Sequence, residues 1–161
     1  MVSPGDPAPE FTAPLANGDV AEFDLAAAIA SDAPVVLAFF PAAFTGTCTS
    51  EMNAFQDRLD AFAEAGATVY GVSVDLPFAL NEFREQEGLS FGMISDSQRD
   101  VVDAYGVEMD FESTGVYDIA KRAVFVIDGD GTIRYAWVSD DAGVEPNYDE
   151  VEAAAEQAAD G

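Results

Sequence analysis

Continuous apolar segments along the chain alternate with segments in which apolar residues are spaced three or four positions apart. Segment 34–41 is apolar throughout and has proline at both ends, which predicts a central strand buried on both faces. Segment 68–74 repeats this pattern, and segment 91–94 predicts a shorter extended piece. These segments indicate a sheet whose middle strands contact apolar layers on both sides.

The segments between these strands have helical spacing. Segment 47–65 predicts one continuous amphipathic helix, which Gly66 would end. Its inward-facing residues are Met52, Phe55, Leu59 and Phe62. Three more helices are predicted over 78–87, 98–105 and 148–159.

Two places along the chain predict antiparallel hairpins. Asn17-Gly18 favours a tight turn within segment 4–24, and Gly129-Asp130-Gly131 separates predicted strands over 123–128 and 132–138. Strands that alternate with helices, and end in a hairpin, predict an α/β domain with a central mixed sheet flanked by helices. This order fits a thioredoxin-like fold with an N-terminal hairpin.

Composition narrows the classes of function. The chain has 161 residues, 49% of them hydrophobic, and no internal repeat or linker divides it, so residues 1–161 are expected to form one domain. Asp and Glu number 31 against 6 Lys and Arg, which gives a net charge of -25. The electric field of this negative charge repels phosphate backbones and anionic lipid surfaces, so we expect neither nucleic acid nor a membrane as a partner.

The acidic residues are spread between hydrophobic segments, which predicts a charged surface adapted to salt and a halophilic source. Molar salt shortens the screening length to ~3 Å and weakens repulsion between like charges. We therefore expect the melting temperature to be higher in molar salt than in dilute buffer. Equal melting temperatures in the two solutions would contradict a salt-adapted surface.

Residue types also limit location and cofactors. No apolar stretch reaches the ~20 residues of a membrane span, and residues 1–9 lack the parts of a signal peptide, so the expected location is cytoplasmic. The chain has no His and one Cys, which excludes an internal disulfide and a zinc-type ligand cluster. We expect no metal and no cofactor.

The single cysteine, Cys48, lies between the predicted central strand and the predicted long helix. Free N–H groups and the dipole at a helix N-terminus favour the thiolate, which is the nucleophilic form. A lone cysteine is often a small buried apolar residue, but such a residue would lie on the apolar helix face, whereas Cys48 lies among hydroxyl side chains. We interpret Cys48 as a reactive nucleophile.

The residues around Cys48 stand at the spacing P-x-x-x-T-x-x-C-x-x-E, which resembles the active-site signature of the peroxiredoxins. Its four positions are Pro41, Thr45, Cys48 and Glu51. Segment 5–11 resembles the opening of that family, and segment 121–128 resembles its arginine-bearing strand. The resemblance therefore spans the chain.

The resemblance implies a thiol-dependent peroxidase in antioxidant defence. It implies that Cys48 attacks hydrogen peroxide or an alkyl hydroperoxide and becomes a sulfenic acid. Thr45 and Arg122 would activate the thiol and stabilise the leaving oxygen, Pro41 would shield the site from water, and Glu51 would support it. Helix capping by Thr45, a solvated surface charge at Arg122 and a stabilising first-turn carboxylate at Glu51 stay open as alternatives.

With no second cysteine, the chain is similar to one-cysteine peroxiredoxins of the alkyl hydroperoxide reductase E type. An external thiol or a thioredoxin-like protein would then reduce the sulfenic acid. The resemblance also implies a homodimer with contacts near Phe44. Two other functions stay open, namely a redox sensor that oxidises a partner through Cys48 and a non-catalytic thioredoxin-like binding module.

Overall fold

A computed structural model describes residues 2–160. Its strands are β1 (Thr12–Ala16), β2 (Val20–Asp24), β3 (Val35–Phe39), β4 (Thr68–Ser73), β5 (Met93–Ser95), β6 (Glu108–Phe111), β7 (Val116–Ala120), β8 (Arg122–Ile127) and β9 (Ile133–Ser139). Its helices are α1 (Leu25–Asp32), α2 (Gly46–Asp57), α3 (Leu59–Glu64), α4 (Pro77–Glu87), α5 (Asp100–Tyr105) and α6 (Tyr148–Asp160). A short 3-10 helix at Glu112–Thr114 separates β6 from β7. No helix among the described residues is long and apolar enough to cross a membrane.

Seven strands form a central mixed sheet in the order β2-β1-β5-β4-β3-β8-β9, and β6 pairs with β7 in a separate small sheet. Strands β3, β4 and β5 are parallel, while β8 is antiparallel to β3 and β9 is antiparallel to β8. Strands β1 and β2 form the N-terminal hairpin, and β1 pairs antiparallel with β5. The predicted mixed sheet and both predicted hairpins are confirmed.

Strand β3 is buried along its whole length, and its side chains alternate between two apolar layers. Val36 and Ala38 face the layer that holds α2, α3, α4 and α6 residues, whereas Leu37 and Phe39 face the layer that holds residues of α1 and α5. This burial on both faces explains why segment 34–41 contains no polar position. The prediction of a central strand flanked by helices is confirmed.

The sequence prediction was wrong in three places. Segment 47–65 is two helices, because the backbone leaves the helical range at Arg58 (φ -101°, ψ 6°). The Arg58 guanidinium lies over the Tyr148 ring and pairs with Asp149 and Glu152 of α6 at 2.8 and 3.1 Å. Helix α1 and the β6–β7 hairpin were not predicted. Contacts with residues far along the chain, such as those of Arg58, leave no mark on local periodicity.

Helix α1 begins at a side-chain cap. Asp24 Oδ1 accepts a hydrogen bond from the Ala26 N–H at 3.0 Å, which satisfies one of the unpaired donors of the first turn. We expect Asp24→Ala to lower the free energy of unfolding by ~1 kcal/mol in a denaturant titration. Asp24→Asn removes the same charge but keeps a capping oxygen, so it should stay close to the wild type. A loss of equal size in both variants would contradict the capping role.

Candidate active site

Cys48 lies where the central strand gives way to a helix. The chain leaves β3 after Phe39, passes through a loop and enters α2, and Cys48 is the third residue of that helix. Its side chain is 1% exposed. In the antiparallel β3–β8 pair Phe39 lies opposite Ala123, so the residue before Ala123, Arg122, lies beside the end of β3. The sheet register thus brings Arg122 to Cys48.

Arg122 is 1% exposed, and its guanidinium donates to three groups. Nη2 lies 3.1 Å from Cys48 Sγ, and Nη1 lies 2.7 Å from Glu51 Oε1. Nε and Nη2 both donate to the Ala142 carbonyl, at 3.1 and 2.8 Å. These bonds fix the plane of the guanidinium. Because Arg122 is also buried, it is not a solvated surface charge.

Glu51 is fully buried. It lies three residues after Cys48 in α2 and therefore on the same face of the helix. Burial raises the pKa of Glu51 to about 8; the Arg122 charge opposes this rise, and the Glu145 charge adds to it. Its second oxygen, Oε2, has no hydrogen-bond partner among residues 2–160. At neutral pH Glu51 is therefore mostly the neutral acid.

Burial lowers the pKa of Arg122, but Glu51 and Cys48 outweigh that effect and the net shift is upward. Arg122 therefore stays charged, whereas Glu51 is mostly neutral below its pKa of about 8. The positive charge of Arg122 is then directed mainly at Cys48. An arginine placed this way favours the thiolate and can stabilise a negative charge that develops beside the sulfur.

The other two signature residues lie in the loop before α2. Pro41 is buried, whereas Thr45 is exposed. The Thr45 hydroxyl donates to the Ala42 carbonyl at 2.8 Å and makes no capping bond to α2. Within residues 2–160 it makes no hydrogen bond to Cys48. The structure brings Arg122 to Cys48 and Glu51 to Arg122, but leaves the Thr45 hydroxyl turned toward its own loop.

Sequence reasoning missed two groups near the site. The Ala142 carbonyl, which holds Arg122, is a backbone group and carries no side-chain signal. Asp75 Oδ2 accepts a hydrogen bond from the Ala43 N–H in the loop before Cys48, at 2.8 Å. The signal for Asp75 was a carboxylate two residues after a buried strand. Among the described residues, no group of three or more His, Cys, Asp or Glu side chains is arranged to hold a metal ion.

Solved structures of peroxiredoxins share this fold. Peroxidoxin BcpB of Mycobacterium tuberculosis superposes with a TM-score of 0.85 at 30% identity, and the match covers 98% of each chain. The reduced 2-Cys peroxiredoxin of Plasmodium vivax gives a TM-score of 0.83 at 25% identity, with 95% of this chain and 94% of that one covered. The thioredoxin-like fold predicted from the sequence is confirmed.

The sequence shows the same relationship. A putative peroxiredoxin of Mycobacterium tuberculosis is 38% identical over 136 residues, which are 84% of each chain. Peroxiredoxin Bcp of Escherichia coli is 33% identical over 137 residues, which are 83% of each chain. Residues 4–136 match the model of the AhpC/TSA family. This match and these relatives show that the chain belongs to the AhpC/TSA family, the peroxiredoxins.

Proposed function

We propose that Cys48 is the residue with which this peroxiredoxin, a thiol-dependent peroxidase, reduces hydrogen peroxide and alkyl hydroperoxides. The observation that carries the proposal is the 3.1 Å contact between Arg122 Nη2 and Cys48 Sγ in a site that is almost fully buried. A buried cation beside a thiol at a helix N-terminus favours the thiolate. A lone apolar cysteine would not need such a partner.

In the first step the Cys48 thiolate attacks one oxygen of the hydroperoxide. A sulfur–oxygen bond forms, the oxygen–oxygen bond breaks, and the other oxygen leaves as an alkoxide or hydroxide that takes one proton to become an alcohol or water. The sulfur is oxidised to a sulfenic acid. Negative charge moves from sulfur to the leaving oxygen, so the Arg122 guanidinium assists both the start and the end of this transfer.

The other three residues of the signature, Pro41, Thr45 and Glu51, have smaller proposed roles. Pro41 is buried at the start of the loop, and we propose that it shields Cys48 from water. Thr45 is proposed as a donor to the peroxide, which requires its hydroxyl to leave the Ala42 carbonyl when substrate binds. Glu51 supports the site through its bond to Arg122.

The cycle closes with an external thiol, because Cys48 is the only cysteine in the chain. One thiol reacts with the sulfenic acid to give a mixed disulfide and water, and a second thiol releases the Cys48 thiol and a disulfide product. A small thiol or a thioredoxin-like protein would serve as the external reductant. We also propose a homodimer with contacts near Phe44, which is 51% exposed. A cytoplasmic location is a further proposal.

The test mixes reduced protein with one equivalent of hydrogen peroxide in molar salt. Trp137, which packs against the core that contains Cys48, reports the reaction by stopped-flow fluorescence, and mass spectrometry identifies the Cys48 product. Protein alkylated at Cys48 beforehand is the control. We expect one-equivalent oxidation to sulfenic acid at least about a hundredfold faster than free cysteine.

A rate no faster than free cysteine would contradict the peroxidase. Repeated turnover with a generic dithiol distinguishes the peroxidase from a redox sensor, because a sensor stays oxidised until its own partner arrives. We expect many turnovers for each Cys48. Oxidation without turnover would favour the sensor.

A further inference from the structure

We propose that Asp75 is a positioning residue for the peroxide reaction, because its carboxylate holds the loop that leads into the Cys48 helix against the end of the sheet. We call residues 40–45, between β3 and α2, the cysteine loop. The proposed role of Asp75 rests on the proposed function of Cys48. Asp75 lies in a different segment, two residues after β4, and does not contact the reacting sulfur.

The Asp75 carboxylate connects the cysteine loop to the sheet. Oδ2 accepts the Ala43 N–H at 2.8 Å, and it also accepts the Ser73 hydroxyl at 2.8 Å. The Asp75 carbonyl accepts the Ser95 hydroxyl at 2.6 Å. Ser73 and Ser95 are fully buried and lie opposite each other at the ends of β4 and β5. Asp75 is therefore fixed by two strands and bonded to one loop.

The cysteine loop needs such a hold because its backbone is strained. Phe44 has a φ of 66°, a left-handed conformation that a bulky residue rarely adopts. Its ring contacts Phe83 at a centroid distance of 5.3 Å but remains 51% exposed, so packing covers only part of it. The Asp75–Ala43 bond lies directly before this strained residue and ties the backbone there to the sheet.

Loss of this bond changes the start of α2. Without it the loop can relax toward an ordinary φ at Phe44, and the first turn of α2 follows because Thr45 is its cap residue. Cys48, five residues after Ala43, then moves away from Arg122 and becomes more exposed. Peroxide oxidation slows because it needs the Arg122 contact, whereas alkylation becomes faster because it needs mainly access.

Three full-length variants test this role. Asp75→Ala removes the acceptor, and Asp75→Asn removes the charge but keeps an oxygen in place of Oδ2. Asp24→Ala is the matched control, since it also removes an aspartate that accepts a backbone N–H, but on the outer edge strand β2. Each variant is assayed for oxidation by hydrogen peroxide and for alkylation of reduced Cys48 by iodoacetamide.

We expect Asp75→Ala to be oxidised about tenfold more slowly and alkylated several times faster than the wild type, while Asp75→Asn and Asp24→Ala stay within about threefold on both measurements. A folded Asp75→Ala protein with wild-type oxidation would overturn the proposal. An Asp75→Asn protein as slow as Asp75→Ala would also overturn it. If the wild type itself is not oxidised by peroxide, the proposed function of Cys48 fails, and the alkylation rates still decide whether Asp75 holds the loop.

A second measurement needs only the wild-type protein, in case Asp75→Ala does not fold. In hydrogen exchange followed by NMR, the Ala43 amide should exchange at least about ten times more slowly than the Phe44 amide, which has no partner among residues 2–160. Equal exchange of the two amides would overturn the proposed hold on the loop.

Discussion

Replacement of Arg122 by methionine is expected to slow the oxidation of Cys48 by hydrogen peroxide about 10²- to 10³-fold, the usual effect of removing one preplaced donor from a transition state. Methionine keeps much of the apolar stem of arginine but has no N–H group. The variant therefore loses the 3.1 Å contact with Cys48 Sγ and the positive charge beside the leaving oxygen. Single-turnover stopped flow with hydrogen peroxide measures this loss.

Two further variants make the test specific. Arg134→Met on β9 removes another arginine, one that is 37% exposed and pairs with Asp128 at 3.1 Å, and its oxidation rate should stay within about twofold of the wild type. Arg122→Lys keeps the charge but not the planar fork that contacts Cys48, Glu51 and Ala142 together, so an intermediate rate is expected. Wild-type oxidation in Arg122→Met would show that the guanidinium has no part in the chemistry.

The sequence predicted the two strands that position this site, but not that they are neighbours in the sheet. The predicted strand 34–41, which precedes Cys48, and the predicted strand 123–128, which directly follows Arg122, are both visible as local patterns. The pairing of β8 with β3 could not be derived from periodicity, because a strand pattern does not name its neighbour. The resemblance to a family named Arg122 as a partner of Cys48 without that pairing.

Other parts of the site depend on single contacts and were not predictable. The Ala142 carbonyl bonds Arg122 from a loop 20 residues away, and any residue type could supply it. Asp75 stands 32 residues from Ala43; its place two residues after a buried strand puts it at the edge of the sheet, but nothing in its local sequence identifies the Ala43 N–H as its partner. The orientation of the Thr45 hydroxyl is a rotamer choice, which a pattern of residue types does not determine.

Glu51 should make the stability of the protein depend on pH in an unusual direction. Its pKa is about 8 in the folded chain and near 4.5 when it is exposed, so the folded state keeps a proton that the unfolded state has lost. The stabilisation from this group is complete below pH 4.5 and is lost as the pH rises to about 8. Glu51→Gln removes this contribution, so its stability relative to the wild type should increase with pH over that range.

The same ionisation should affect the reaction with peroxide more strongly. Below pH 8 Glu51 is mostly neutral, so the Arg122 charge acts mainly on Cys48. Above pH 8 a carboxylate 2.7 Å from Nη1 competes for that charge. Opposite charges ~4 Å apart attract by ~4 kcal/mol at an effective dielectric constant of 20, so a part of this energy is enough to slow oxidation about ten- to a hundredfold.

We therefore expect the oxidation rates of Glu51→Gln and the wild type to be similar near pH 7, and Glu51→Gln to be about ten- to a hundredfold faster near pH 10. Taking the ratio of the two rates at each pH removes the pH dependence that does not involve Glu51, because both proteins share it. Glu152→Gln is the matched control, since it changes a carboxylate that pairs with Arg58 instead of Arg122. A ratio that does not change with pH would show that Glu51 only fills space beside Arg122. A ratio that rises through pH 8 would show that Glu51 and Cys48 compete for the single positive charge of Arg122.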